Sequence, residues 1–129
     1  MKKKISILGS TGSIGVNALK ILSNLKDQFE LICLTANTNS SLLLQQIEKF
    51  KPESICIVDL DSYEQIKNEL DSFDVEVLTG RSGLLEISKR DNVDIILNAL
   101  VGASGMEPTI NALNAGVDVA LANKETLVM

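Results

Sequence analysis

Glycines near the amino terminus have the spacing of a nucleotide-binding turn. Residues 9–15 read GSTGSIG, a G-x-x-G-x-x-G pattern that directly follows the apolar run at 5–8. In such turns the first glycine permits a tight bend, the middle one leaves room for a pyrophosphate, and the last lets helix and strand pack closely. The backbone N–H groups of Thr11 to Ile14 would then point at phosphates from a helix N-terminus. The motif predicts dinucleotide binding, and the alternative is a strand–helix turn whose glycines serve packing alone.

The segment after the second apolar run predicts which dinucleotide is preferred. A domain selective for NAD usually carries Asp or Glu here, which accepts from the ribose hydroxyls. Residues 35–41 read TANTNSS and contain no acid, so a 2′-phosphate would meet no like charge. No Arg or Lys is adjacent either, so the predicted preference for NADP follows from a missing repulsion. The alternative is that these residues only cap the next helix, with Ser40 or Ser41 as the cap.

Two later loops follow apolar runs and carry small or polar residues. Residues 98–105 read NALVGASG, and their small side chains would let a flat nicotinamide ring approach the backbone. Residues 122–125 read ANKE, where Lys124 would pair with an anionic substrate or cofactor and Glu125 would accept from a ribose or amide. Ligands of doubly wound sheets bind at the carboxyl ends of strands, which is where both loops are predicted to lie. Taken singly, each polar residue is explained by an ordinary loop, but the convergence of both loops with the glycine turn on one edge favours a ligand site.

The elements that must position these loops follow from the apolar pattern. Short β-branched runs alternate with segments of helical period, which predicts parallel crossovers and an α/β, doubly wound, mostly parallel sheet of Rossmann type. The predicted helix at 13–25 has Ile14, Ala18, Ile21, Leu22 and Leu25 on one face. In the predicted helix at 41–50, Leu44, Ile47 and Phe50 form the apolar stripe, and a turn at Gly80 and Gly83 precedes the predicted helix at 84–88. The predicted strands are 5–8, 31–34, 55–58, 75–78, 93–97 and 117–121. The predicted helices are 13–25, 41–50, 63–70, 84–88 and 106–114.

Composition excludes several classes of protein. The chain has 129 residues, and 12 basic against 17 acidic residues give a net charge of −5, which disfavours a nucleic-acid partner. It contains no histidine, and no apolar run is long enough to span a membrane. Cys33 and Cys56 lie within apolar runs without metal-ligand spacing, which predicts buried, reduced thiols. We therefore expect a cytoplasmic protein with no membrane or nucleic-acid partner.

Three segments together resemble a known enzyme family. GSTGSIG at 9–15, the segment at 98–116 and ALANKETLV at 120–128 are similar to 1-deoxy-D-xylulose 5-phosphate reductoisomerase. The resemblance implies an NADPH-dependent isomerisation and reduction of that ketose phosphate to 2-C-methyl-D-erythritol 4-phosphate, in isoprenoid precursor biosynthesis. It also implies a divalent metal, Mg or Mn, and a homodimeric full-length enzyme. The family's metal-binding carboxylates follow the ANKE segment, and Glu107 and Asp118 do not match them, so no metal ligand is expected in this chain.

The resemblance also implies a role for individual residues. Residues 1–129 would form the NADPH-binding domain, a fragment without the catalytic and C-terminal domains and inactive alone, with no catalytic residue inside it. Family members often have Gly and then Lys or Ser where this chain has Asn37 and Thr38. The implied contacts are Thr11, Gly12, Ser13 and Ile14 with the pyrophosphate, Asn37, Thr38 and Asn39 with the adenosine ribose and 2′-phosphate, Asn123 and Glu125 with the cofactor, and Lys124 with the substrate.

Two other functions are compatible with the glycine turn. One is a dehydrogenase of the aspartate-semialdehyde or dihydrodipicolinate reductase type, against which the ANKE segment argues. The other is a stand-alone nucleotide-sensing module, which would need no further domain. A continuation of the reading frame with clustered acidic side chains would support the reductoisomerase.

Overall fold

A computed structural model describes residues 2–100, Pro108 and 118–121, and in them helices pack on both faces of a six-stranded sheet. The elements are β1 (Lys3–Leu8), α1 (Ser13–Ser23), β2 (Phe29–Ala36), α2 (Ser40–Phe50), β3 (Ser54–Ile57), α3 (Leu60–Leu70), β4 (Glu76–Thr79), α4 (Gly80–Lys89), β5 (Ile95–Asn98) and β6 (Asp118–Leu121).

The order of strands places a reversal of direction between β1 and β5. The order is β4-β3-β2-β1-β5-β6, and every neighbouring pair is parallel. The chain runs outward from β1 to β4 and then returns to the other side of β1 with β5. In sheets of this kind, ligands bind in a crevice outside the carboxyl ends of the strands at which the direction reverses, which here are β1 and β5. The predicted Rossmann-type sheet is confirmed.

Two aliphatic clusters, one on each face, hold the helices to the sheet. One cluster joins α1, α2 and α3 to the sheet through side chains such as Leu19, Ile47 and Ile66. The other joins α4 through Leu84 and Ile87. Successive strand residues point to opposite faces, so a strand buried on both sides must be apolar throughout. Each fully buried aliphatic side chain contributes about 1.5–3 kcal/mol.

The two cysteines are buried and unpaired by any disulfide, as the sequence predicts. Cys33 and Cys56 lie in the cluster under α4. Burial in this apolar surrounding raises the pKa of the Cys56 thiol to about 12. Because the thiolate is the reactive form, this cysteine is a packing residue rather than a nucleophile.

The predicted apolar face of α1 is correct only in part, since Ala18 and Leu22 pack against the core whereas Ile14 and Ile21 do not. The helix ends at Ser23 rather than Leu25, and Ile14 and Ile21 are 38% and 63% exposed. Gly15 and Leu19 are buried in their place. Apolar residues lie on several sides of this helix, so periodicity alone did not identify the buried side.

The predicted cap and core stripe of α2 also need correction. The helix starts at Ser40, and the cap is Asn39, whose side-chain oxygen accepts from the Leu42 N–H at 3.2 Å. Ser40 and Ser41 are therefore inside the helix. Leu43 is fully buried beside Ile47, although the prediction omitted it.

Gly83 belongs to a helix and not to the turn predicted from its spacing with Gly80. Helix α4 runs from Gly80 to Lys89, so the predicted segment 84–88 is too short. A Cβ on Gly83 would lie 2.9 Å from the Leu78 Cβ and 3.1 Å from the Cys56 sulfur. This glycine allows the helix to approach the sheet closely.

The remaining bounds differ from prediction mostly by one to three residues. Strands β3 and β4 are shifted by one residue, β5 begins at Ile95, and β6 begins at Asp118. Helix α3 begins at Leu60 because the Asp59 carboxylate caps it, accepting from the Ser62 N–H at 3.0 Å. The predicted helix at 106–114 lies outside the described residues, apart from Pro108, which is helical and buried.

A charged cluster closes the amino edge of the sheet, opposite the crevice. The Arg90 guanidinium donates to both oxygens of Glu76, at 2.6 and 3.0 Å, and to the Ser54 hydroxyl at 3.0 Å. That hydroxyl donates to Glu76 at 2.9 Å. The bonds from Arg90 and Ser54 lower the pKa of Glu76 from 4.5 to about 2.

We expect Glu76→Gln to lower the free energy of unfolding by about 1 kcal/mol at neutral pH, the size typical of an exposed ion pair. Because the pKa of Glu76 is lowered by folding, its contribution is complete above about pH 4.5 and disappears toward about pH 2. The difference between wild type and variant in urea unfolding should therefore shrink over that range. Glu86→Gln, which removes a longer 3.7 Å contact with Arg90, is the matched control with a smaller effect. A difference that stays constant down to pH 3 would contradict this assignment.

Candidate functional site

The glycine turn between β1 and α1 is anchored to the end of β2. Gly9 has φ +82°, a conformation that favours glycine, and its N–H donates to the Thr35 hydroxyl at 2.9 Å. The Ser10 N–H donates to the Thr35 carbonyl at 2.8 Å. A Cβ on Gly9 would lie 3.2 Å from the Ala99 carbonyl oxygen, so the turn also packs tightly against the end of β5. The first glycine of the motif therefore allows both the tight bend of the chain and the close contact between the turn and the end of β5.

The amino end of α1 is open toward the crevice. Gly12 is the N-cap residue, and no side chain caps this helix end. The Val16 N–H donates to the Gly12 carbonyl at 2.8 Å, and the Gly12 N–H donates to the Gly9 carbonyl at 3.3 Å. The N–H groups of Ser13 and Ile14, in the first turn of the helix, have no acceptor within the helix. A Cβ on Gly12 would meet only the Gly9 oxygen, at 3.7 Å. Thr11 is half-buried, whereas Gly12, Ser13 and Ile14 are exposed. This arrangement of donors suits an anionic oxygen.

The third glycine brings α1 against the turn itself. A Cβ on Gly15 would overlap the carbonyl oxygen of Gly9 and lie 2.7 Å from the Ser10 Cα. The sequence predicted close packing at this position, and the structure confirms it. The atoms that it contacts are backbone atoms of the turn.

The predicted ribose-binding residues form an exposed loop after β2. Asn37, Thr38 and Asn39 are all exposed, at the same edge as the glycine turn. The side-chain oxygen of Asn39 caps α2. The groups of the Asn39 side chain that could donate to a phosphate are therefore its amide N–H groups. The loop therefore presents amide and hydroxyl donors, as the sequence predicted.

Sequence reasoning missed an acid beside this loop. The Asp59 N–H donates to the Asn37 carbonyl at 3.0 Å, which joins the ends of β2 and β3. The Asp59 carboxylate accepts from the Ser62 hydroxyl at 2.7 Å as well as from its N–H. The signal was available, because the carboxyl ends of adjacent parallel strands meet at one edge. Its bonds to Ser62 identify this acid as a helix cap.

The loop after β5 starts from a buried asparagine. Asn98 is fully buried, and its side-chain oxygen accepts from the Leu100 N–H at 3.0 Å. The Ala99 N–H donates to the Leu8 carbonyl at 2.9 Å, which holds this loop beside the glycine turn. Strand β6 ends at Leu121, the register partner of Asn98, so its carboxyl end lies at the same edge.

Several predicted positions lie outside the described residues. They are residues 101–105 and Asn123, Lys124 and Glu125. Within the part of the chain that the structure describes, no group of three His, Cys, Asp or Glu side chains is arranged to hold a metal ion.

Curated relatives match the whole chain but extend well beyond it. The 1-deoxy-D-xylulose 5-phosphate reductoisomerase of Halothermothrix orenii is 45% identical over 129 residues, which cover 100% of this chain and 34% of that protein. The enzyme of the same name from Phocaeicola vulgatus is 46% identical, also over 100% of this chain and 34% of its own length. The chain therefore spans about a third of the curated relatives that it matches.

Solved structures that superpose on this chain are reductoisomerases, as are its relatives in sequence. A DOX-P reductoisomerase in complex with magnesium superposes with a TM-score of 0.92 at 35% identity, covering 99% of this chain and 32% of that one. The Zymomonas mobilis reductoisomerase in complex with NADPH superposes with a TM-score of 0.91 at 33% identity, covering 99% of this chain and 34% of that one. The family model of 1-deoxy-D-xylulose 5-phosphate reductoisomerase matches residues 5–129. This chain belongs to the 1-deoxy-D-xylulose 5-phosphate reductoisomerase family.

Proposed function

We propose that residues 1–129 form the NADPH-binding domain of an enzyme that isomerises and reduces 1-deoxy-D-xylulose 5-phosphate to 2-C-methyl-D-erythritol 4-phosphate. The observation that carries the proposal is the uncapped amino end of α1, opened by Gly12 beside the switch point, in a chain of this family. A solved relative in complex with NADPH superposes on nearly all of this chain. Family membership also favours this function over an aspartate-semialdehyde or dihydrodipicolinate reductase.

In this proposal the glycine turn binds the pyrophosphate. The N–H groups of Thr11, Ser13 and Ile14 would donate to phosphate oxygens at the positive end of α1. Gly12, whose own N–H donates to the Gly9 carbonyl at 3.3 Å, would contact the pyrophosphate through its backbone. The open space above Gly12 fits a phosphate, because an added Cβ has a single neighbour at ordinary contact distance. When bound, NADPH supplies the hydride for the reduction. The protein contributes orientation, which is a large part of the rate of such reactions.

The loop after β2 would receive the adenosine ribose and its 2′-phosphate. The Asn37 and Asn39 amides and the Thr38 hydroxyl can donate to phosphate oxygens. No cationic side chain lies in this loop, so neutral donors and the absence of a carboxylate would set the preference. The half-buried Asp59 is turned to its bonds with Ser62 as the cap of α3.

Further assignments rest on the family resemblance. Asn123 and Glu125 are proposed to contact the cofactor, and Lys124 the substrate. The carboxylates that bind the metal in the family follow the ANKE segment, so we propose that the divalent ion, Mg or Mn, is held by residues outside this chain. A related structure binds magnesium. We propose a cytoplasmic homodimer for the full-length enzyme, and no helix among the described residues is long and apolar enough to cross a membrane.

We expect the chain to bind NADPH at least about tenfold more tightly than NADH, a difference of about 1.4 kcal/mol. The cause is the acid-free loop at 37–39. Isothermal titration calorimetry of the two cofactors measures the ratio. Asn37→Asp should reduce or reverse it, because a carboxylate repels the 2′-phosphate and accepts from ribose hydroxyls.

Asn68→Asp makes the same change of charge on the exposed side of α3 and serves as the control. It should leave the ratio of the two affinities unchanged. Tighter binding of NADH than of NADPH by the wild-type chain would refute the preference, and binding of neither would refute the proposed function.

A further inference from the structure

A buried pair of polar side chains ties the glycine turn to the middle of α2. Ser10 is 0% exposed and Gln46 is 5% exposed. The Ser10 hydroxyl donates to the Gln46 side-chain oxygen at 2.7 Å, and the Gln46 amide donates back to the Ser10 carbonyl at 2.9 Å. Its buried neighbours on this helix include Leu43 and Ile47. Burying an amide there is costly unless both of its hydrogen-bonding groups are satisfied, and here Ser10 satisfies both.

The bond to the Ser10 carbonyl has a consequence for the next N–H group. The carbonyl of Ser10 and the N–H of Thr11 belong to the same peptide unit, which is planar and trans. The two groups therefore point in opposite directions. Because Gln46 holds the carbonyl toward α2, the Thr11 N–H is directed away from α2. The preceding peptide is fixed as well, since the Ser10 N–H donates to the Thr35 carbonyl at 2.8 Å.

We propose that Gln46 is a positioning residue for the cofactor: by holding the Ser10 carbonyl, it aims the Thr11 N–H at the pyrophosphate. This inference rests on the proposed function, because it needs a phosphate to be bound at the glycine turn. Gln46 does not itself touch the cofactor. A phosphate oxygen gains most from donors that are already oriented, because no ordering of the turn then opposes binding.

Gln46→Glu separates this role from simple packing. An ionised Glu at position 46 accepts from the Ser10 hydroxyl but repels the Ser10 carbonyl, whereas a protonated Glu donates to that carbonyl as the amide does. We expect NADP⁺ to bind the variant about tenfold more weakly than wild type at pH 8. The ratio of the two dissociation constants should fall toward one as the pH is lowered to about 5, because burial raises the pKa of a carboxyl group.

The pH profile has an internal control. The charged side chains lining the groove beside Gln46 are Lys20 and Lys49. Both lysines are present in wild type and variant alike. Titration of the cofactor's own 2′-phosphate cancels, because wild type and variant are compared at the same pH.

Gln46→Met keeps the length of the side chain without polar atoms, and this variant should bind NADP⁺ weakly at every pH.

A second ligand shows which part of the cofactor is affected. Adenosine 2′-monophosphate has the ribose phosphate but no pyrophosphate, so its affinity should change less than about twofold in either variant. Equal losses for both ligands, or a Gln46→Glu ratio that does not change with pH, would overturn the positioning role. If Gln46→Met fails to fold, the Gln46→Glu profile decides alone. A wild-type chain that binds no NADP⁺ would refute the proposed function, whereas normal binding by both variants would refute only this inference.

Discussion

Gly12→Val is expected to abolish NADPH binding while leaving the fold intact. The backbone at Gly12 has φ −74° and ψ 168°, which a valine adopts without strain. An added Cβ would meet only the Gly9 oxygen, at an ordinary 3.7 Å. The branched side chain would instead fill the space through which the pyrophosphate approaches the amino end of α1. We expect an affinity loss of about a hundredfold or more, equivalent to about 2.7 kcal/mol.

Calorimetric titration with NADPH measures the loss, and circular dichroism with thermal unfolding tests the fold. Gly12→Ala places one methyl group at the same position and should give an intermediate loss. If the valine variant is folded and binds NADPH as tightly as wild type, the phosphates do not lie at this turn.

The features that could be predicted from the sequence are local ones. The glycine turn follows from residue types at fixed spacing between an apolar run and a helical segment. The strands follow from short β-branched runs, since a strand buried on both faces must be apolar throughout. The chemistry of the loop at 37–39 follows from its composition. In each case the pattern lies within a few consecutive residues.

The features that the sequence did not reveal depend on contacts between distant segments. Gln46 looks like any polar residue of a surface helix until Ser10, 36 positions away, is placed against it. Gly83 looks like part of a turn until the Cys56 sulfur is found beneath it. Ile21 has the character of a core residue, but the side of α1 that faces the sheet is set by the fit of Gly15 against the turn. Helical periodicity gives the spacing of the apolar residues along a helix, but it does not give the residues that pack against them.

Gly15→Ala is expected to destabilise the fold more than any other single methyl group added at the glycine turn. In most helix positions this change would stabilise the protein by about 1 kcal/mol, because alanine is the better helix former. At Gly15 the new methyl group would overlap the Gly9 carbonyl oxygen and lie 2.7 and 2.9 Å from backbone atoms of Ser10. These neighbours cannot rotate away as a flexible side chain would, because Thr35 and Gln46 hold Ser10 from two sides.

Either α1 must move off the sheet or the turn must open, and both changes separate Leu19 from the core. We expect a loss of about 3 kcal/mol in the free energy of unfolding, the upper end for overpacked sites. Urea unfolding followed by circular dichroism measures this loss. Gly12→Ala is the matched control, since it adds the same methyl group three residues earlier in open space. If Gly15→Ala were as stable as that control, the contact between α1 and the turn would not be as close as the structure shows. Because the turn that receives the methyl group is also the proposed phosphate site, any Gly15→Ala protein that still folds should bind NADPH more weakly than wild type.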